Sequence, residues 1–121
     1  MDIKIIKSPI SISVLKNIAI KQFGNLVKAV VDIEFQIIAI GGELHADEEQ
    51  ILLENGSKQK NIWGFNIYPD KFKTNDFLEF DSMINIRPSQ NNLSRIILDK
   101  SIKKKIKDIV NNLIVENIDA T

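Results

Sequence analysis

The chain has 121 residues, 44% hydrophobic and 26% charged, the size and composition of one ordinary globular domain. Sixteen Lys and Arg offset sixteen Asp and Glu, so no overall field draws it to nucleic acid or to an anionic membrane. There is no cysteine and only one histidine, which removes thiolate and multi-histidine metal chemistry and leaves carboxylates, amides, hydroxyls and one imidazole.

No apolar run reaches the roughly 18 residues of a membrane helix. The start, Met1-Asp2-Ile3-Lys4, carries no basic and then apolar leader. These features predict a single domain over residues 1–121 in the cytoplasm, with a frayed tail over 116–121. Along the chain, Asp2 to Ile6 is a short β-branched run stopped by Ser8-Pro9. Ser11 suits a helix N-cap, and Ile12, Leu15, Ile18, Ala19 and Phe23 recur at helical spacing up to Gly24. Leu26 to Ile33 and Gln36 to Ile40 read as a β-hairpin, and the second strand is apolar on both faces, as a central strand would be.

Asp47-Glu48-Glu49-Gln50 has the form of a capping box and favours a short helix through Leu53, stopped by Gly56. The competing reading takes Asn55-Gly56 as a type I′ turn and Gln50 to Glu54 as a strand. Two further strands are expected, from Asn61 to Tyr68 and from Phe77 to Arg87, the longer one with a bulge near Ser82. Pro88 ends it, and Ser89 to Ser94 is a loop. Asp99 then caps a helix whose apolar stripe is Ile102, Ile106, Ile109, Val110 and Leu113. Lys103, Lys104, Lys105 and Lys107 fall off that stripe, which is the pattern of a solvated face and gives no ground for a nucleic-acid partner. The expected fold is α+β, a mainly antiparallel sheet of about five strands with helices packed on one face.

Two clusters are candidates for chemistry. Trp63, Phe65 and Ile67 alternate with Gly64, Asn66 and Tyr68, and Phe80, Ile84 and Ile86 alternate with Asp81, Asn85 and Arg87. If these strands pair as an antiparallel hairpin, Asn66, Tyr68, Asp81, Asn85 and Arg87 share the polar face. Arg87 would then anchor an anionic ligand that the amides orient. Asparagine is a poor strand former, and hydrogen bonding is the natural reason to find it there. The other cluster is Gly41-Gly42-Glu43-Leu44-His45. It lacks the phosphate-loop pattern, and Glu43, Asp47 and Glu48 would repel a phosphate. Glu43, His45 and Asp47 have donors for a divalent cation, but a single imidazole assigns no metal. His45, with Glu43 or Asp81, is the candidate proton-transfer group.

Three stretches carry a resemblance: AIGGELHADEE over Ala39 to Glu49, GSKQKNIWGFNIYP over Gly56 to Pro69, and DSMINIRP over Asp81 to Pro88. Together they resemble a small, uncharacterised prokaryotic family defined only as a domain of unknown function. The resemblance implies a free-standing single domain and assigns no activity, cofactor or catalytic residue. Two functions remain as expectations. One is a domain that binds a polar or anionic small molecule, with His45, Glu43 and Asp81 moving protons and Asn66, Tyr68, Asn85 and Arg87 holding the ligand. The other is a non-catalytic interaction or structural protein, a homo-oligomer or adaptor using the polar face, Trp63 or a free strand edge.

Overall fold

The β-branched runs pair into one antiparallel sheet, and the helical stripes cover it. The computed structural model describes residues 2–118. Its elements are β1 (Lys4–Ile6), β2 (Ile10–Ser11), α1 (Ile12–Lys21), β3 (Val27–Asp32), β4 (Ile37–Ile40) and α2 (His45–Glu54). They continue with β5 (Ile62–Ile67), β6 (Leu78–Glu79), α3 (Lys100–Leu113) and β7 (Ile114–Val115), with short 3₁₀ turns between. The five-stranded sheet has the order β1-β4-β3-β5-β6, so the doubly apolar β4 is indeed internal. None of the helices described is long and apolar enough to cross a membrane.

Strand alternation separates two cores. Val27, Ala29 and Val31 of β3, with Ile38, Ile40, Trp63, Phe65 and Ile67, face α1 and α3. There they meet Leu15 and Ala19 of α1 and the Ile106, Ile109, Val110 and Leu113 stripe of α3. Each fully buried aliphatic chain of this kind contributes about 1.5–3 kcal/mol. Val30, Ala39 and Ile62 point the other way and pack on Leu52. The first and last helices thus cover one face, as expected, and α2 forms a third layer on the other.

Local chemistry explains the joints. Ser11 Oγ accepts from Ser13 N at 3.2 Å, and Asp99 Oδ1 accepts from Ser101 N at 2.7 Å, capping α1 and α3. Phe23, placed on the first helical stripe by its spacing, lies past the end of α1 and is 40% exposed. Buried Asp32 turns the β3–β4 connection, accepting from Glu34 N and Phe35 N at 2.9 Å and from Ser57 Oγ at 2.6 Å. Gln36, read as a strand residue, has φ 58° and belongs to that turn. The segment after Gly42 is a helix, not a hairpin strand, but Asp47 does not cap it. The helix starts at His45 after Leu44, which provides no side-chain cap. β2 and β7 pair in parallel and tie the start of α1 to the end of α3. Glu116 is held there, by Ser11 Oγ donating to its carbonyl at 3.3 Å and by Lys73 at 2.9 Å. Of the expected frayed tail, 119–121 lies outside the described residues.

The expected long strand from Phe77 to Arg87 is the main correction. The chain does run antiparallel beside β5, with Leu78 opposite Ile67 and Glu79 opposite Asn66, and then leaves the ladder. Asp81 keeps one isolated bridge to Ile96, and Met83–Asn85 is a 3₁₀ turn. Beyond β6, side chains close the edge of β5. Asn85 Oδ1 accepts from Gly64 N at 2.8 Å, and Asn85 Nδ2 donates to the carbonyls of Gly64 at 2.9 Å and Arg95 at 3.1 Å. A Cβ on Gly64 would lie 2.6 Å from that of Ser82, so only glycine lets this segment approach. Asn92 repeats the device, donating to the carbonyls of Asn85 and Ser94 at 2.8 Å and accepting from Leu98 N at 3.0 Å.

Asn85→Ala strands both buried backbone groups of Gly64, while the Arg95 carbonyl keeps its bond from Ser82 N, and is expected to cost about 3 kcal/mol or more in urea denaturation. Asn85→Asp is expected to be equally damaging, because a carboxylate cannot donate to two carbonyls. Near-native stability of the Asp variant would show that the amide donors are dispensable.

Candidate functional site

β4 ends at Ile40, and the glycine pair that follows is filled by the protein itself. Gly41 has φ +94°, and a Cβ there would lie 2.7 Å from the Asp2 carbonyl oxygen. Its own carbonyl accepts from Gln22 Nε2 at 2.8 Å. Gly42 N donates to Glu48 Oε2 at 2.9 Å, and a Cβ on Gly42 would strike Glu48 Cγ at 2.8 Å. Glu48 is fully buried and its Oε1 has no partner. Burial raises its pKa from the ordinary 4.5 to about 9, against the opposing bond from Gly42. At neutral pH it is a carboxylic acid.

His45 opens α2 and reaches back over the sheet. Its Nε2 lies 2.8 Å from the Phe65 carbonyl oxygen. A carbonyl only accepts, so Nε2 carries the proton and Nδ1 is the acceptor of the neutral ring. Burial lowers the His45 pKa below 6.5, the Phe65 bond opposes this, and the Lys28 charge lowers it further. The Asn66 amide and the Asp81 charge act in the opposite direction. The imidazole is therefore neutral at physiological pH.

A cavity of about 260 Å³ lies at this helix start, lined by Lys28, His45, Asn66, Asp81, Ser82 and Arg95 among others. Arg95 Nε donates to Asp81 Oδ1 at 2.9 Å. Asn66 Nδ2 donates to Glu79 Oε1 at 2.8 Å, and Asn66 Oδ1 is buried without a partner. The cavity holds an uncharged base, a carboxylate, an amide acceptor and two cations. Such a set suits a small polar molecule with negative charge. Among the described residues no three His, Asp or Glu side chains converge, so Glu43, His45 and Asp47 do not form a cation cage.

The sequence-based candidates separate. His45, Asn66 and Asp81 share the cavity. Glu43 is exposed outside it. Tyr68 is also outside it, its hydroxyl donating to Glu79 Oε1 at 3.0 Å. Asn85 and Arg87 lie outside this cavity, and both side chains are hydrogen-bonded to backbone carbonyls. Arg87 is 6% exposed and donates to the carbonyls of Ile84 at 3.1 Å, Gln59 at 2.6 Å and Ile62. Its guanidinium also stacks 4.6 Å over the Trp63 ring. Trp63 is 1% exposed and presents no surface to a partner. Lys28, Ser82 and Arg95 were not singled out by the sequence. Lys28 had a signal, being the one charge within the Leu26 to Val31 run and out of phase with its buried face. Arg95 had none, since only the departure of the chain after Glu79 brings it to Asp81.

A family model described as "Protein of unknown function (DUF5674)" matches residues 4–113, from β1 to the end of α3. The chain belongs to the DUF5674 family. Every residue that lines the His45 cavity falls within the DUF5674 match. Comparisons with curated proteins and with solved structures find no match.

Two titrations follow. Folded Glu48 holds its proton up to about pH 9, whereas the unfolded chain releases it near 4.5. Stability therefore falls as pH rises through that window. The wild type should lose stability relative to Glu48→Gln from pH 5 to pH 9 in urea melts, and a pH-independent difference would refute a buried acid. For His45 the folded pKa is depressed, so its contribution is present above 6.5 and lost as pH falls below it. Imidazole proton NMR should place the His45 midpoint below 6.5 and move it upward in Lys28→Met.

Proposed function

We propose that the protein binds a small anionic molecule in the cavity at the start of α2, with His45 as its proton acceptor. The observation that carries this reading is the neutral imidazole with Nε2 committed to Phe65, lining the same cavity as Lys28, Asn66, Asp81 and Arg95. Lys28 and Arg95 supply positive charge, of which Asp81 balances one unit, so the cavity favours an anion. At about 260 Å³ it is below the volume of ordinary drug-sized sites, which restricts the ligand to a few heavy atoms, such as a short dicarboxylate or phosphate. The Asn66 Oδ1, buried and without a partner, supplies an acceptor for a protonated group on that ligand. The cysteine-free composition agrees with a reducing compartment, and we place the protein in the cytoplasm.

Titration of succinate and of inorganic phosphate into isotope-labelled protein tests the reading. Saturable amide shifts are expected at His45, Ala46 and Ser82. Arg95→Ala and Lys28→Ala should each weaken the binding about tenfold, the equivalent of one charge-assisted hydrogen bond. Absence of saturable shifts with both anions, or equal affinity in both variants, sinks it.

A second reading rests on Met83, Leu93 and Leu98, which are 64%, 73% and 55% exposed on the segment beside the cavity. Apolar exposure of this kind favours self-association through that segment. Sedimentation at high protein concentration that shows only monomer disposes of it.

A further inference from the structure

A cleft larger than the one beside His45 lies elsewhere on the molecule. It opens on the α3 side of the sheet, has a volume of about 700 Å³, and runs between the 72–80 segment and the end of α3 with β7. Its floor is apolar. Phe77 is buried and meets Phe72 edge to face at 5.2 Å between ring centres, and Phe80, Leu78 and Ile114 complete the wall. Two of these rings are therefore fixed before any ligand arrives, which limits the ordering cost of binding.

Half of the lining residues are polar, Lys73, Thr74, Asn75, Lys107, Asn111 and Glu116, and they are not equivalent. Lys73 is paired with Glu116 at 2.9 Å on one rim. Lys107 has no carboxylate partner among the described residues and lies 5.9 Å over the Phe80 ring. Asn111 follows it one helical turn later and also lines the cleft. A volume within the ordinary small-molecule range, an apolar floor and a single free cation beside an amide define an amphiphile with one negative head. A polar anion would leave the phenylalanine floor wet, and a neutral apolar molecule would leave Lys107 without a counter-charge.

We infer that this cleft is a second binding site, separate from the His45 cavity, for a free amphiphilic carboxylate whose head meets Lys107 and Asn111 and whose tail lies on Phe72, Phe77 and Phe80. The commitment is to a dissolved molecule rather than a bilayer, because one cation in a concave cleft matches one head group.

Decanoate, titrated below its micelle concentration into isotope-labelled full-length protein, is the test. Saturable amide shifts are expected at Phe77, Phe80, Lys107, Asn111 and Ile114, unchanged in His45→Ala. Lys107→Glu, on the exposed side of α3, should weaken decanoate about tenfold or more, and decanol should bind the wild type more weakly by a similar factor. No saturable shift at the cleft overturns the site. Equal binding of decanol and decanoate, or an unaffected Lys107→Glu protein, overturns the anionic head. Sedimentation with phosphatidylglycerol vesicles in the absence of decanoate shifts would assign the cleft to a membrane surface and overturn the inference.

Discussion

The outer edge of β5 is the constraint on which the rest of the molecule depends. β3 pairs along one side of β5 from Ile62 to Ile67, but β6 covers only Asn66 and Ile67 on the other. The remaining edge, inside the protein, must still be hydrogen-bonded, since an unpaired buried peptide group costs more than a bond contributes. Asn85 satisfies both backbone groups of Gly64, and Arg87 takes the Ile62 carbonyl. A primary amide offers one acceptor and two donors in a plane, so it can stand where a strand's own peptide would. The price is rigidity, because each of these side chains has to be held in turn, Asn85 through its carbonyl by Asn92.

This device also decides what was legible in the sequence. Elements set by periodicity and caps were readable: α1 behind Ser11, α3 behind Asp99, the β3–β4 pair, and the internal place of β4. Alternation from Phe77 to Arg87 was equally clear but misleading. It reflected a segment that does lie antiparallel to β5, yet bonds to it through main chain at Glu79 and through side chains at Asn85 and Arg87. Asparagine in a strand pattern correctly signalled hydrogen bonding, but the partners are the protein's own, the Gly64 backbone for Asn85 and the Glu79 carboxylate for Asn66. Nothing local distinguishes an amide that serves a ligand from one that serves a peptide group. The site was half legible for the same reason. His45, Asn66 and Asp81 could be named from residue type, whereas Arg95 depends on a path the pattern did not contain.

The glycine pair after β4 shows a similar transfer of purpose. In the sequence Gly41 and Gly42 lack the phosphate-loop pattern, and the carboxylates nearby argue against a phosphate. In the fold they admit the main chain at Asp2 and Ile3, just before β1, and the neutral Glu48 acid, which accepts the Gly42 N–H from inside α2. That packing sets the helix start two residues ahead of the Asp47 cap position. With the start at His45, the ring is carried to the Phe65 carbonyl, and its tautomer is set by a backbone atom of the central sheet.

The two features meet at Asp81. Had the chain continued as a strand beyond Glu79, Asn66 and Asp81 would have lain on a flat, solvated sheet face, and α2 would have had no hollow beside it. Because side chains close the edge of β5 instead, the main chain is free to turn away after Asp81, and Ser82 drops against Gly64. The turn returns Arg95 to Asp81 and leaves a concavity bounded by His45 on one side and this pair on the other. The amides that hold the sheet together thus create the space in which the lone imidazole stands, without themselves lining it.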